Sequence, residues 1–452
     1  MPATTGMMPD RPIGPDMQAT PYRSAWLTVP LYLFAAFSTF SIVGTTLAQA
    51  LLLVGLLVAR PPMPCPPRDL ARLLLPFYAL VAAILLSTFA NPQPLANLGP
   101  AWQYRLIVLP VLLLWVYPHV DLRRTMQVLA VMVIVLSLWA LPQFLFDVDP
   151  LMAFRPPLGA VGSFYRAKGV FSHPLTFSGY MLIAAPLLGM LATADRGRTR
   201  RLWLAGGIAA ALAVGFSISR SSIIGLCAGA LVLLFSRYRR MALALFVAAC
   251  LAAAALVSGA RVATWLVESD WVQRSPLLEH FLEMDPAKNT SKLERLLIWE
   301  AGLLGFKDRP FFGFGQDQHD PELGPYQRRV LEAHGMSDYQ FSVGFGVPLH
   351  NIYVRMLFDL GIVGSAAYLF LWGSVFVAIV KGLRAAPPDD TWSRALLWGA
   401  AAGLVGSMVA GFFEDNFFDG EVQALIVFTM TLALHVSRRL RLAATATGED
   451  GE

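Results

Sequence analysis

The sequence predicts an all-α integral membrane protein. Three observations carry that expectation: few charges, a series of apolar runs of bilayer length, and an uneven spread of arginine over the connecting segments. Of 452 residues, 56% are hydrophobic and 14% charged, against about 25% charged in a soluble globular protein. Mean hydropathy is +0.56. A helix crossing a bilayer needs ~17–25 apolar residues, and twelve such runs are present, at 27–41, 43–59, 70–89, 103–118, 125–146, 174–193, 202–218, 221–236, 241–259, 362–381, 394–412 and 421–437. The first is short and fits a tilted or partly interfacial helix.

Arginine sets the expected orientation. With both termini cytoplasmic, twenty arginines and lysines fall inside, and five (Arg105, Arg155, Arg166, Lys168 and Arg220) fall in short outside loops. The long loop from about 260 to 361 adds ten more, but loops of that length are weak orientation signals. The net charge of +5 therefore reflects topology. No soluble basic domain is present to bind nucleic acid. The expected organisation is a disordered cytoplasmic tail (1–24), transmembrane helices 1–9 (25–259), an outer loop subdomain (260–361), helices 10–12 (362–437) and a cytoplasmic tail (438–452). Residues 1–24 are polar and Pro-rich, and no small-residue cleavage site follows the first apolar run, unlike a cleavable signal. Cys65 lies in an inside loop, and Cys227 and Cys250 lie within spans, so neither an external disulfide nor a zinc spacing is available. No internal repeat supports an inverted-repeat transporter.

The long loop alone can build a subdomain outside the bilayer. Its pattern predicts helices over Ala263–Trp271, Pro276–Met284, Lys292–Phe306 and Gly324–His334, with Ser275-Pro276 as a cap and first helical position. Its aromatic density argues against disorder and for a helical cap on the outer membrane surface. Asn351–Lys381 is 31 residues, too long for one span. A break at Gly361 would make Asn351–Leu360 a separate helix, in the interface or dipping into it.

Chemistry concentrates where this loop re-enters apolar sequence. His350, Asn351, Tyr353 and Arg355 sit together there. A helix N-terminus disfavours a charged imidazole, so His350 reads as a general base; a capping or hydrogen-bonded histidine fits the position equally. Tyr353 could orient a ligand, or anchor at the interface like many aromatics. Arg220, in Ser219-Arg220-Ser221, lies at an outer mouth between two spans, where a guanidinium fork suits phosphate; snorkelling to headgroups is the alternative. Arg295 shares a helix face with Trp299 and could instead form a surface ion pair. Arg155, Arg166 and Lys168 form a basic outer loop before Phe171-Ser172-His173-Pro174. Arg155 reads as a solvated charge, while Arg166 lies only a few residues from the sixth span. Asp147 and Asp149 could hold a divalent cation, but a turn before Pro150 explains them better, and no metal or cofactor is expected. Glu414, Asp415 and Asp419, in the last outer loop, could orient a base or an arginine.

Two function classes fit an external cationic site with one candidate base: an enzyme acting on a phosphate-bearing lipid, and a transporter. A transporter places ionisable residues near the midplane of its spans, and these spans hold almost none. That favours the enzyme.

The motifs also resemble the O-antigen ligase and polymerase superfamily of bacterial inner membranes. They are Arg166-x-x-Gly169-x-Phe171 before Pro174; Ser219-Arg220-Ser221; Arg295-x-x-x-Trp299 before Pro310-x-x-Gly313-x-Gly315; and His350-Asn351-x-Tyr353 before Leu360-Gly361-x-x-Gly364. The resemblance covers most of the chain. It implies a GT-C-type glycosyltransferase with a periplasmic cap, moving a glycan from undecaprenyl diphosphate to an acceptor, which in ligases is a sugar hydroxyl of lipid A–core. It implies roles for His350 as base, for Arg220 and Arg295, and for an acid in the last outer loop, Asp415 or Asp419. The expected partners are undecaprenyl-diphosphate-linked O-antigen, lipid A–core and membrane lipids. O-antigen polymerases and protein O-oligosaccharyltransferases share the motifs, so the acceptor stays open. Val354 and Asp359 stand where many relatives carry leucine and glutamate.

Overall fold

The structure, a computed structural model, describes residues 24–449 apart from 93, 102, 150–159, 162–163, 258–289, 317–321, 340, 342–343 and 347. The helices expected over Ala263–Trp271 and Pro276–Met284, with Ser275, lie outside the described residues, as do Arg155 and nearly all of the N-terminal tail.

The described chain is almost entirely helical. The helices are α1 (Ala25–Phe37), α2 (Ile42–Ala59), α3 (Pro67–Ala90), α4 (Pro94–Ala101), α5 (Tyr104–Val116), α6 (Leu122–Phe146), α7 (Pro174–Leu191), α8 (Gly197–Phe216), α9 (Arg220–Arg237), α10 (Arg239–Val257), α11 (Thr290–Asp308), α12 (Gly324–Ala333), α13 (Ile352–Ala385), α14 (Thr391–Ala410) and α15 (Gly420–Glu449). One two-stranded antiparallel ribbon pairs Ala160–Val161 with Phe164–Tyr165. Each of the twelve apolar runs falls on a helix. Among the described residues, nine helices are long and apolar enough to cross a membrane, and α1 is apolar but shorter. The protein is thus a multi-pass membrane protein, with nine spans by this measure where the sequence suggested twelve.

Polar side chains start several helices at one end of the bundle. Ser41 caps α2, His173 caps α7, Ser219 caps α9 and Asn351 caps α13, each accepting from a backbone N–H one to three residues on. Those N–H groups have no helical partner, so a side-chain acceptor there fixes where the helix begins. Inside the bundle, α14 packs on α7 and α9. Small residues permit that approach. A Cβ on Gly225 of α9 would lie 2.5 Å from the carbonyl oxygen of Gly406 on α14. The close packing sets the start of α9, with Arg220 and Ser221, beside the end of α14, just before Glu414.

The long loop folds onto this end. Leu297, Ile298, Phe314, Tyr326, Val330 and Leu349 form a second apolar core, to which α13 contributes Val354 and Phe358. An offset of two residues, about half a turn, puts Ile352, Met356 and Leu360 on the opposite face, in the main core. The first part of α13 therefore belongs to both cores at once.

That part ends where the sequence suggested. Gly361 has φ 63° and ψ −161°, which interrupts α13. A break strips helical partners from nearby backbone groups, and such groups are costly in an apolar surround. Residues 310–315 supply replacements. Phe314 N–H donates to Phe358 O (3.0 Å) and Gly315 N–H to Asp359 O (2.8 Å). Ile362 N–H donates to Pro310 O (2.8 Å) and Val363 N–H to Phe311 O (3.3 Å). Ser87 of α3 adds a bond to Asp359 O at 2.9 Å. The two backbones touch so closely that a Cβ on Gly313 would overlap Asp359, and one on Gly361 would overlap Phe311. Both glycines also have positive φ.

Gly313→Ala and Gly361→Ala should each lower stability by about 1–3 kcal/mol or more through left-handed strain plus overlap. Thermal unfolding in detergent measures this. Gly99→Ala, where a Cβ meets nothing within 4 Å, should change little.

Candidate active site

The site forms where α7, α9, α11 and α13 meet the 411–419 connection, and it is built around a buried carboxylate. Glu414 is 2% exposed. The Arg295 guanidinium on α11 donates to its Oε1 at 3.1 Å and to the Phe413 carbonyl at 2.7 Å. The Ser221 hydroxyl donates to the same Oε1 at 3.2 Å. His350 Nδ1 lies 3.8 Å from Oε2, an ion-pair distance longer than a hydrogen bond. Behind Ser221, hydroxyls run from Ser219 to Ser222 and on to Ser178 of α7, at 2.9, 3.3 and 2.8 Å.

His350 directly precedes the helix cap. It has φ 46°, a left-handed conformation unusual for a residue with a side chain. The chain is tied down on both sides of it. Trp299 Nε1–H donates to Leu349 O at 2.9 Å, and Ile352 N–H donates to Gly411 O and Glu414 O at 2.9 and 3.1 Å. The strain is thus sustained from the cap side and from the last loop, as strained conformations at functional sites commonly are. The imidazole is 32% exposed while its carboxylate neighbour is buried. The ring edge carrying Nδ1 faces Glu414.

Cations crowd the same place. Arg166 donates through Nε to Ser217 O at 3.4 Å. Burial lowers its pKa, the Glu414 charge raises it and the Arg295 charge lowers it, so all three groups share one field. Lys168 is buried, and Gln143 accepts from its backbone N–H and from that of Gly169. His173, at the start of α7, is pushed down to about 4 by burial and by the charges of Arg166, His350 and Lys168. It stays neutral and accepts from Leu175 N–H through Nδ1. Burial lifts Glu414 to about 7 in spite of Arg295. Asp419, half-buried and accepting from Thr176, is also raised to about 7 by desolvation.

The structure sorts the expected residues. Arg166, Arg295 and His350 converge on Glu414, and Arg220 opens α9 one residue before Ser221. Asn351 and Tyr353 have structural roles. Asn351 caps α13 through Oδ1, while the Tyr353 hydroxyl donates to Met408 O at 2.8 Å and its ring stacks near Phe412. Asp415 is bound by Arg355 at 2.7 Å, and Asp419 by Thr176. The acid nearest His350 is Glu414, one of the three acids the residue pattern offered in this loop, where the family resemblance pointed to Asp415 or Asp419. Arg355, which the sequence placed in this cluster without a role, is a structural tie. It bridges Asp415 and Asp359 (3.2 Å) and lies 4.7 Å from the Phe418 ring. Its four-residue spacing from Asp359 on one helix was a usable signal. Asp147 ends α6 in a left-handed conformation, as a helix cap. Among the described residues, no group of three or more His, Cys, Asp or Glu could hold a metal ion.

A strained histidine beside a buried carboxylate, among guanidinium groups at one end of a helical bundle, marks this multi-pass membrane protein. Comparison with known proteins gives a partial match. Residues 205–369, which include Arg220, Arg295 and His350, match the family model described as O-antigen ligase. No curated protein matches the chain significantly.

The raised acid gives a pH signature. Between the ordinary value of 4.5 and about 7, the unfolded chain loses the Glu414 proton while the folded chain keeps it. Stability from this group is therefore full at low pH and lost as pH rises through that window. Glu414→Gln keeps the buried amide neutral throughout. The melting-temperature difference, wild type minus variant, should fall steadily from pH 5 to pH 8, and a flat difference would show that Glu414 titrates normally.

Proposed function

We propose that the protein is an O-antigen ligase of the bacterial inner membrane, a GT-C-type glycosyltransferase with its site in the periplasm. In this reading it moves a glycan from undecaprenyl diphosphate to a sugar hydroxyl of lipid A–core. The single observation that carries this is His350 held against Glu414 among Arg166 and Arg295. Arg220, Arg295 and Arg166 neutralise the diphosphate, and bidentate guanidinium contacts suit its oxygens. That charge neutralisation makes the diphosphate a better leaving group. His350 takes the acceptor proton. Glu414 orients the imidazole and stabilises it once protonated, a positioning role. One displacement at the anomeric carbon inverts its configuration, and no step requires a metal.

His350→Ala should lower transfer by about 10²–10⁴ while leaving donor binding largely intact. Near-normal turnover of the purified variant would remove His350 from the mechanism. Arg295→Ala should weaken donor use, with Lys restoring only part, and EDTA should change nothing. Loss of activity in EDTA that Mg²⁺ or Mn²⁺ restores would point to a metal mechanism.

The acceptor needs its own assay. With lipid A–core and undecaprenyl-diphosphate glycan together, the glycan should appear on the core. With donor alone, no ladder of longer prenyl-linked glycans should form; such a ladder would identify a polymerase.

A further inference from the structure

We propose that Arg105 holds the phosphate of a membrane lipid in a cleft between α2, α5 and α15, at the same end of the bundle as the candidate site but separate from it. The three helices pack on one another, and all three begin at this end. Arg105 lies in the first turn of α5. Its guanidinium rests on the backbone of Gly420, where an added Cβ would lie 3.2 Å from one of its nitrogens and 3.2 Å from Ile42 of α2. Its carbon is 4.5 Å from the Tyr104 ring centroid. The cleft is tied together around it: Tyr104 and Thr46 hydroxyls bond at 2.9 Å, and Gln423 donates to Gln103 at 3.2 Å.

The guanidinium itself is not tied. Its Nε–H is buried and has no hydrogen-bond partner among the described residues. Glu421 is the carboxylate whose charge bears on it, but the two form no ion pair. A buried charged donor without an acceptor is costly, so an anion at this position would remove a standing penalty. Arg220, Arg295 and Arg355 each engage protein groups, which sets Arg105 apart.

The surroundings select a lipid over a soluble anion. Ile42, Val43 and Leu47 of α2 flank the cleft and are 43%, 79% and 56% exposed. A multi-pass protein turns such side chains towards acyl chains. An unpaired guanidinium at a helix end beside an acyl-facing surface lies at headgroup depth, where a lipid supplies both phosphate and chains. The starts of α5 and α15 add partial positive charge to the same place.

The test is independent of the reaction. Full-length protein in detergent is titrated with dioleoyl phosphatidylglycerol, and bound lipid is counted by native mass spectrometry. Dioleoylglycerol, which lacks phosphate, and glycerol phosphate, which lacks chains, are the comparison ligands. Arg105→Gln should bind phosphatidylglycerol about tenfold more weakly, the change expected for one charge-assisted hydrogen bond, and Arg105→Lys should fall between. Arg72→Gln, at an 82% exposed side chain near the start of α3, should bind like the wild type. Equal binding by wild type and Arg105→Gln would overturn the proposal. So would equal affinity for dioleoylglycerol, or Arg105-dependent binding of glycerol phosphate as tight as that of the lipid. If the Gln variant does not fold, the Lys variant and the dioleoylglycerol comparison decide.

Discussion

The backbone hydrogen bonds that seal the break at Gly361 hold the molecule together functionally. A 34-residue helix crossing straight through would carry His350 away from the last loop. The interruption lets the first part of α13 turn and pack under the cap. It is tolerated because residues 310–315 meet the freed carbonyls and N–H groups one for one, at distances of 2.8 to 3.3 Å. A backbone that must bond to another backbone leaves no room for side chains, which is why glycine stands on both sides of the contact. The motif Pro310-x-x-Gly313-x-Gly315 and the distant Gly361 thus answer one steric requirement.

Charge burial shapes the site as strongly as packing does. At Glu414, desolvation outweighs the attraction of Arg295, and the carboxyl titrates near neutrality. Arg355 is arranged differently. One buried guanidinium faces two carboxylates, Asp359 at 3.2 Å and Asp415 at 2.7 Å. Removing one partner from such a pair commonly costs about 3–5 kcal/mol. The two groups are adjacent, since Asp415 follows Glu414 directly. The Arg355 contact therefore anchors the loop that aims Glu414 at His350.

Much of the fold was legible because bilayer length is a coarse and robust signal. Every apolar run met a helix, and an overlong run flanking a glycine announced the break. Span counting was less secure: α1 is short, and α8 and α10 are not among the nine described helices that meet the length and composition measure. The cationic residues were legible from type and place, since Arg166 and Arg295 had few apolar-compatible alternatives at a membrane boundary. The acid was not. Glu414, Asp415 and Asp419 lie within six residues, and composition cannot say which turns inward. That choice is made by the Ile352 N–H, which fixes the loop through Gly411 and Glu414, and by Arg355, which draws Asp415 to the other side. Asn351 and Tyr353 looked chemical because they adjoin His350, yet their polar atoms are consumed by the cap and by Met408.

The dual allegiance of α13 has a mechanical consequence. Val354 and Phe358 belong to the cap, while Ile352, Met356 and Leu360 belong to the bundle. One rigid rod is thus clamped in two bodies, so the cap cannot swing as a lid about a loose tether. Tilting it would shear both apolar faces of the same turns and pull the 310–315 segment from its hydrogen-bond partners. The spacing of His350, Arg295 and Glu414 across that seam is thus held by packing on both sides of one helix.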